Sequence, residues 1–281
     1  MPSKAWVVKW NFARGFRAPT VAELSSNGAH EGSNRYEYGN TNLRSEKSWQ
    51  TDLGVEWVTE HLALQASLFV NAVDKFIFYQ KLPAAAGGDS LIEEEGRWLP
   101  AYRFNQRNVV LYGGELSADL HPHPLDWLHF ENSLSLVYAR FLTPLEGQYD
   151  VPFIPAARLL SQLRADIQWK TPRIKGTYLS IEYDQNFAQR RVFTAYDTET
   201  ATRGYALWNA SLGMEWHSAR QTLFTFTFSA LNIFDVAYQY HLSRLKYNPE
   251  NPLTGRRGIF NMGRNFSVRV IIPLQGKLKG K

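Results

Sequence analysis

The 281-residue chain contains no cysteine and nowhere holds an unbroken apolar run long enough for a membrane-spanning helix. The first absence excludes disulfides, thiolate metal sites and a cysteine nucleophile. The second excludes helical spans, which need roughly eighteen apolar residues in succession. Charge is sparse as well, at 20% of residues. The balance is basic, +5 with an isoelectric point near 9.3, but the cations are scattered, and no dense basic run precedes Lys277, Lys279 and Lys281. Nucleic acid therefore finds no basic patch to bind. An apolar leader is also lacking, since Met1-Pro2-Ser3-Lys4 passes straight into alternating sequence. An exported protein needs such a leader, so the expectation is that further sequence belongs upstream of Met1.

Aromatic residues, by contrast, are abundant: 9 Trp, 14 Tyr and 17 Phe, or 14% of the chain. With 44% hydrophobic residues, disorder is ruled out. The aromatics suit the two interfacial girdles of a membrane β-barrel, although a large soluble β protein could carry them too. The mean hydropathy of −0.36 does not argue against a barrel, because strands that alternate apolar and polar residues average to a polar value.

Period-two alternation predicts about ten strands and no substantial helix. Trp6, Val8, Trp10 and Phe12 share one face of the first. Trp49, Thr51, Leu53, Val55 and Trp57 share one face of the second. Later strands repeat the pattern: Trp208, Ala210, Leu212, Met214 and Trp216, then Phe224, Phe226 and Phe228, and lastly Phe266, Val268, Val270 and Ile272. An apolar stripe with an aromatic at each end fits a strand that crosses a bilayer. The connections alternate strictly between long and short. Turns near Thr59-Glu60-His61, His121-Pro122-His123-Pro124, Thr171-Pro172-Arg173 and Ser218-Ala219-Arg220 separate long loops. Outer-membrane barrels have short periplasmic turns and long extracellular loops, so both termini fall on the periplasmic side. A soluble β-rich binding module has no reason to sort its loops by parity.

Arg14-Gly15-Phe16-Arg17-Ala18-Pro19-Thr20, followed by Glu23-Leu24, resembles a segment of TonB-dependent outer-membrane receptors. The run from Glu37-Tyr38-Gly39-Asn40 to Glu46-Lys47-Ser48 is similar to the box that follows it in that family. Asn108 to Glu115, Pro152 to Arg158, Ala230-Leu231-Asn232-Ile233-Phe234-Asp235 and Gly263-Arg264-Asn265-Phe266-Ser267 continue the resemblance in order. Three departures stand out. Thr41 and Ser45 occupy usual proline positions, as does Met262. The last strand runs into Pro273-Leu274 and a basic tail, 275–281, rather than ending on an aromatic.

The resemblance implies an all-β antiparallel transmembrane barrel, in which residues 1–274 supply the last ten or so of 22 strands around a plugged lumen. It further implies an outer-membrane receptor that imports a ferric siderophore, haem or similarly scarce ligand with energy from TonB. The plug that contacts TonB lies outside this chain. The remaining partners are outer-membrane lipid and lipopolysaccharide; no resident cofactor or metal is implied. A self-standing ten-stranded barrel, a porin or a membrane protease, is the rival reading, since ten is an allowed even number.

The ligand-facing candidates all lie in loops. His30 sits where haem receptors of the family hold a histidine, and a neutral imidazole can ligate haem iron; a loop histidine with local hydrogen bonds is the plainer reading. Arg14, Arg17, Arg244, Arg256 and Arg257 are the cations suited to an anionic ligand, because guanidinium forks match carboxylate and catecholate oxygens. Salt bridges between loops or to lipopolysaccharide are the plainer role for any one of them. His241 belongs to the last long loop, where structural and ligand-facing roles both stand open. His121 and His123 have a metal-ligand spacing but flank Pro122 in a turn, which favours a plain turn. Glu93-Glu94-Glu95 reads as a solvated charge run, and Gly87-Gly88 and Gly113-Gly114 lack the residues of a phosphate loop. No catalytic constellation is present, and the chain is read as non-enzymatic.

Overall fold

The computed structural model describes residues 5–30, 32, 34–218 and 221–274. The basic tail 275–281 and the turn residues Ala219 and Arg220 lie outside the described residues. In chain order the elements begin with β1 (Ala5–Arg17), α1 (Val21–Ser25), β2 (Asn27–His30), β3 (Arg35–Tyr38), β4 (Glu46–Val58) and β5 (Leu62–Lys81). Then come β6 (Leu91–Glu94), β7 (Arg97–Leu120), β8 (Leu128–Leu145), β9 (Gln148–Asp150), β10 (Arg158–Ile167) and β11 (Ile174–Asn186). The last are β12 (Tyr205–His217), β13 (Thr222–Leu231), β14 (Glu250–Asn251), β15 (Arg256–Arg257) and β16 (Asn265–Ile271).

Ten of these form one wall in the order β1-β4-β5-β7-β8-β10-β11-β12-β13-β16, each antiparallel to its neighbours. They are the strands that alternation predicts. Short connections at 59–61, 121–127 and 168–173 lie at one end, where β12 also passes to β13; the longer ones lie at the other. The wall is not closed, because β1 and β16 do not pair with each other and each leaves an edge free among the described residues. A self-standing ten-stranded barrel would require that pairing, so the rival reading is overturned.

The alternation sends apolar residues outward and polar residues inward, the reverse of a soluble sandwich. Trp6, Val8, Trp10, Leu53, Leu68, Leu116, Ile181, Val268 and Val270 are all exposed on the outer face. Aromatics there meet in two tiers. Trp6 on Trp57 at 5.6 Å and Trp216 on Phe224 at 6.2 Å mark the short-turn end. Phe12 on Trp49 at 5.5 Å and Tyr183 on Trp208 at 5.0 Å mark the other. Trp49 and Trp57 are separated along β4 by about 26 Å at the usual strand rise, or about 20 Å along the barrel axis at the usual strand tilt, which covers most of the apolar band of an outer-membrane barrel. The inner face carries hydrogen-bonded pairs, among them Asn11 donating to Asp52 (3.1 Å) and Asn209 donating to Glu182 (2.7 Å).

The buried apolar core lies beyond this band, at the long-loop end. There β5, β7 and β8 outrun their neighbours, and Val73, Phe78, Val109, Ala139, Phe141, Val151 and Phe193 pack together. Residues 18–45 and 82–96, which carry no regular period in the sequence, fold onto these extensions. β3 adds in parallel to β7, and β6 pairs with β7 as a short hairpin. Such short elements take their order from the neighbour they cover, which leaves no periodic signal.

The motifs that carry the family resemblance are staples of this end. Thr20 caps α1, its hydroxyl accepting from the Glu23 amide while Glu23 accepts from the Thr20 amide at 2.7 Å. Arg17 then joins the two boxes. Its guanidinium donates to both oxygens of Glu46, at 2.8 and 2.7 Å, and to both of Glu23, at 2.9 Å. Glu46 also accepts from the Ile77 amide at 2.7 Å, so one cation organises β1, α1, β4 and β5. Gly39 permits the close crossing, since a Cβ there would meet the Ser25 nitrogen at 2.5 Å. At the far end Asn232, with φ of 49°, holds Val236 through both its amide atoms, and Asp235 accepts from the Arg264 amide at 2.7 Å. The loop 232–264 is thereby pinned where it leaves and re-joins the wall.

Replacing Arg17 by Ala leaves two poorly hydrated carboxylates side by side. The expected cost is about 1–3 kcal/mol, discounted because the guanidinium is partly exposed. Urea unfolding in detergent micelles, followed by tryptophan fluorescence, checks it. Arg17→Lys recovers little, because an ammonium cannot fork to two carboxylates.

Candidate functional site

The loops at the long-loop end enclose a cavity of about 490 Å³ whose lining includes Arg35, Lys81, Tyr102, Arg244, Tyr247 and Arg257. Each cation arrives there by a different route. Alternation along β3 puts Arg35 and Glu37 on one side, both buried, with Arg35 Nε donating to Glu37 at 2.6 Å. The Arg35 guanidinium also lies over the Tyr79 ring at 3.9 Å. Lys81, the last residue of β5, pairs with Asp89 at 2.6 Å. Arg257 comes from β15, in a hairpin with β14.

Arg244 enters from a one-turn 3-10 segment, Arg244–Tyr247, and its guanidinium sits over the Phe153 ring at 3.1 Å. No carboxylate oxygen lies within ion-pair distance of it among the described residues. Burial, and then the like charge of Arg35, lower its pKa to about 10, so it remains charged at neutral pH. Arg244 is thus a half-buried cation beside another cation, with an aromatic ring against it and no ion-paired carboxylate among the described residues.

A second cavity of about 580 Å³ adjoins the first and shares Thr200, Tyr247 and Arg257 with it. Lys246 forms part of its wall. The Lys246 ammonium donates to the Thr202 hydroxyl at 3.0 Å and lies 3.4 Å from His241 Nδ1. His241 Nε2 in turn lies 3.4 Å from Glu199, which accepts from the Phe153 and Phe193 amides at 2.9 and 3.2 Å. Burial outweighs the attraction of Glu199 and lowers Lys246 to about 8, with Arg244 contributing in the same direction.

Of the residues singled out from the sequence, Arg244 and Arg257 come together in this vestibule. His241 lies behind it, buried in the Thr202–Lys246–Glu199 knot. His30 is exposed at the end of β2, directly opposite Arg35 in register. Arg256 lies beside Arg257 but is directed over Phe260 at 5.3 Å. Arg17 is committed to Glu23 and Glu46. Arg14 is carried on the outer face, over the Trp49 ring at 4.8 Å, and so is not brought to the cavity.

Sequence reasoning missed Arg35, Lys81, Tyr102, Lys246 and Tyr247. The alternation Arg35-Tyr36-Glu37-Tyr38 is a faint strand signal that could have placed Arg35 and Glu37 on one side. Nothing local shows that this side is buried against Tyr79. Chemically, the arrangement suits a polyanionic or metal-complexed ligand, which offers oxygens to guanidinium forks and flat faces to tyrosines.

A family model described as TonB dependent receptor-like, beta-barrel, matches residues 1–233. Among solved structures the chain is similar to the copper transporter OprC, at 16% identity and a TM-score of 0.69, over 96% of this chain and 37% of that one. It is similar to a mutant of the ferric enterobactin receptor PfeA from Pseudomonas aeruginosa, at 20% identity and 0.58, over 96% and 38%. A third is the FrpB iron transporter from Neisseria meningitidis, at 12% and 0.56, over 96% and 37%. The chain thus spans little more than a third of the length of these transporters and receptors, and at such identities the likeness is one of fold. The open wall, its outward aromatic tiers and the family match over most of its length agree: the chain belongs to the β-barrel family of TonB-dependent receptors, whose members reside in the bacterial outer membrane.

Proposed function

We propose that this chain builds the C-terminal part of a 22-stranded receptor barrel that captures an anionic, metal-complexed ligand, a ferric siderophore or haem, for TonB-driven uptake. Arg244 carries this reading. A half-buried guanidinium next to Arg35 without an ion-paired carboxylate carries a cost in the empty site, and an incoming anion lowers that cost. Tyr102, Tyr247 and Tyr79 supply aromatic surface around it. On the haem alternative, His30, opposite Arg35 in register, is the histidine assigned to the iron. On this reading TonB acts on the barrel through the receptor's plug. By the same reading the aromatic tiers of the outer face meet lipid, and Arg14 above Trp49 meets lipopolysaccharide phosphates.

Binding of a ferric tris-catecholate to the receptor carrying this segment tests the reading. Arg244→Ala is expected to weaken it by about 10-fold or more, the lower end for charge contacts because the guanidinium is half-buried, while Arg14→Ala leaves it unchanged. Parent-like affinity in Arg244→Ala for catecholate, hydroxamate and haem ligands alike would overturn it.

A pH dependence follows from Lys246. Its positive charge supports an anion in the vestibule below pH 8 and is lost as pH rises through that value, whereas Arg244 keeps its charge. Affinity for the anion is therefore expected to fall by roughly two- to threefold between pH 7 and 9. Lys246→Met should flatten that slope, as read by isothermal titration at several pH values.

A further inference from the structure

We propose that the short-turn end of the barrel wall holds a divalent transition-metal site formed by Asp119, His121 and His129. One donor atom from each lies within 4.8 Å of the others. Asp119 is next to last in β7 and faces inward; His121 follows it, and His129 faces inward near the start of β8. The register pairs Leu120 with Phe130, which sets His121 across from His129. Three ligands thus flank the turn 122–127, and an ion there would clip the β7–β8 hairpin.

The protonation pattern favours a cation. His121 Nε2 lies 2.7 Å from the Glu60 carbonyl. A carbonyl can only accept, so Nε2 carries a hydrogen, and in the neutral ring Nδ1 is then the lone-pair nitrogen. That Nδ1 is buried without a hydrogen-bond partner, and so is Oδ1 of Asp119. Two buried acceptors side by side, with no donor between them, repel each other; a metal ion satisfies both. His129 is oriented by Asp166, whose Oδ2 lies 3.4 Å from its Nε2 and whose other oxygen is held by Arg164 at 2.9 Å. His61 also has a buried Nδ1 without a partner, and its ring centre is 6.0 Å from that of His121.

Two imidazoles and one carboxylate are a borderline donor set that selects zinc or its first-row neighbours over calcium and magnesium, and it leaves a coordination position open for water. The pair suggested by spacing alone, His121 with His123, is not the one assembled. His123 stacks on His61 at 5.6 Å and stands outside the cluster.

The test is zinc titration of the receptor carrying this segment, purified without a polyhistidine tag and stripped with a chelator. Calorimetry is expected to show one zinc ion per chain at this site. His121→Gln and His129→Gln should each weaken it by at least about 10-fold, as outer-shell changes alone already do. His123→Gln and His241→Gln should leave it unchanged. Cobalt substitution adds a visible-region spectrum that disappears in the double variant His121→Gln/His129→Gln. Heat-modifiable migration on gels shows that each variant retains its barrel. Failure of the parent to take up zinc saturably, or saturable uptake that survives the double variant, would overturn the proposal.

Discussion

Water does not reach the backbone inside a hydrocarbon layer, so every strand that crosses it must find its hydrogen bonds in a neighbouring strand. That constraint shapes the whole wall. It joins the ten strands through nine antiparallel ladders and pushes loops and turns to the ends. It also bears on β1 and β16. Two free edges in a membrane are not a stable end state. On the proposed reading they are paired by further strands of the same barrel.

With the band committed to ladders, packing and specificity are displaced to the long-loop end. The apolar core assembles there because only there do strand extensions and loops cover one another on more than one side. Charged residues hold it in register. Arg17 gathers Glu23 and Glu46, Arg158 forks onto Asp184 at 2.8 Å through two nitrogens, and Asp235 ties the last loop to Arg264. These contacts are partly exposed and individually modest, but all except Arg17 with Glu23 join segments far apart in the chain. The vestibule is built on this frame, and its excess of cations differs from the frame in one respect: Arg244 has no assigned anion.

Much of the wall was legible in the sequence because a strand between lipid and a polar lumen must alternate strictly. A period of two survives in the residues themselves, and so does the parity of long and short connections. The family motifs were legible as well, although their job was not. Arg17 and Glu46 are 29 residues apart, and only the pairing of β1 with β4 sets one opposite the other. Arg14 and Arg17, close in sequence and alike in chemistry, are parted by register: the even position faces outward onto Trp49, and the odd one turns inward to Glu46.

By itself, then, the sequence determined the strands, their inward and outward faces, and the sorting of connections to two ends, because each follows from local periodicity under one solvent constraint. Tertiary structure alone decided that the wall stays open, that Arg35 and Arg244 share a cavity, and that His121 meets Asp119 and His129 rather than standing with His123. Those outcomes depend on which distant segments lie side by side. Register and loop packing settle that, and no local pattern records it.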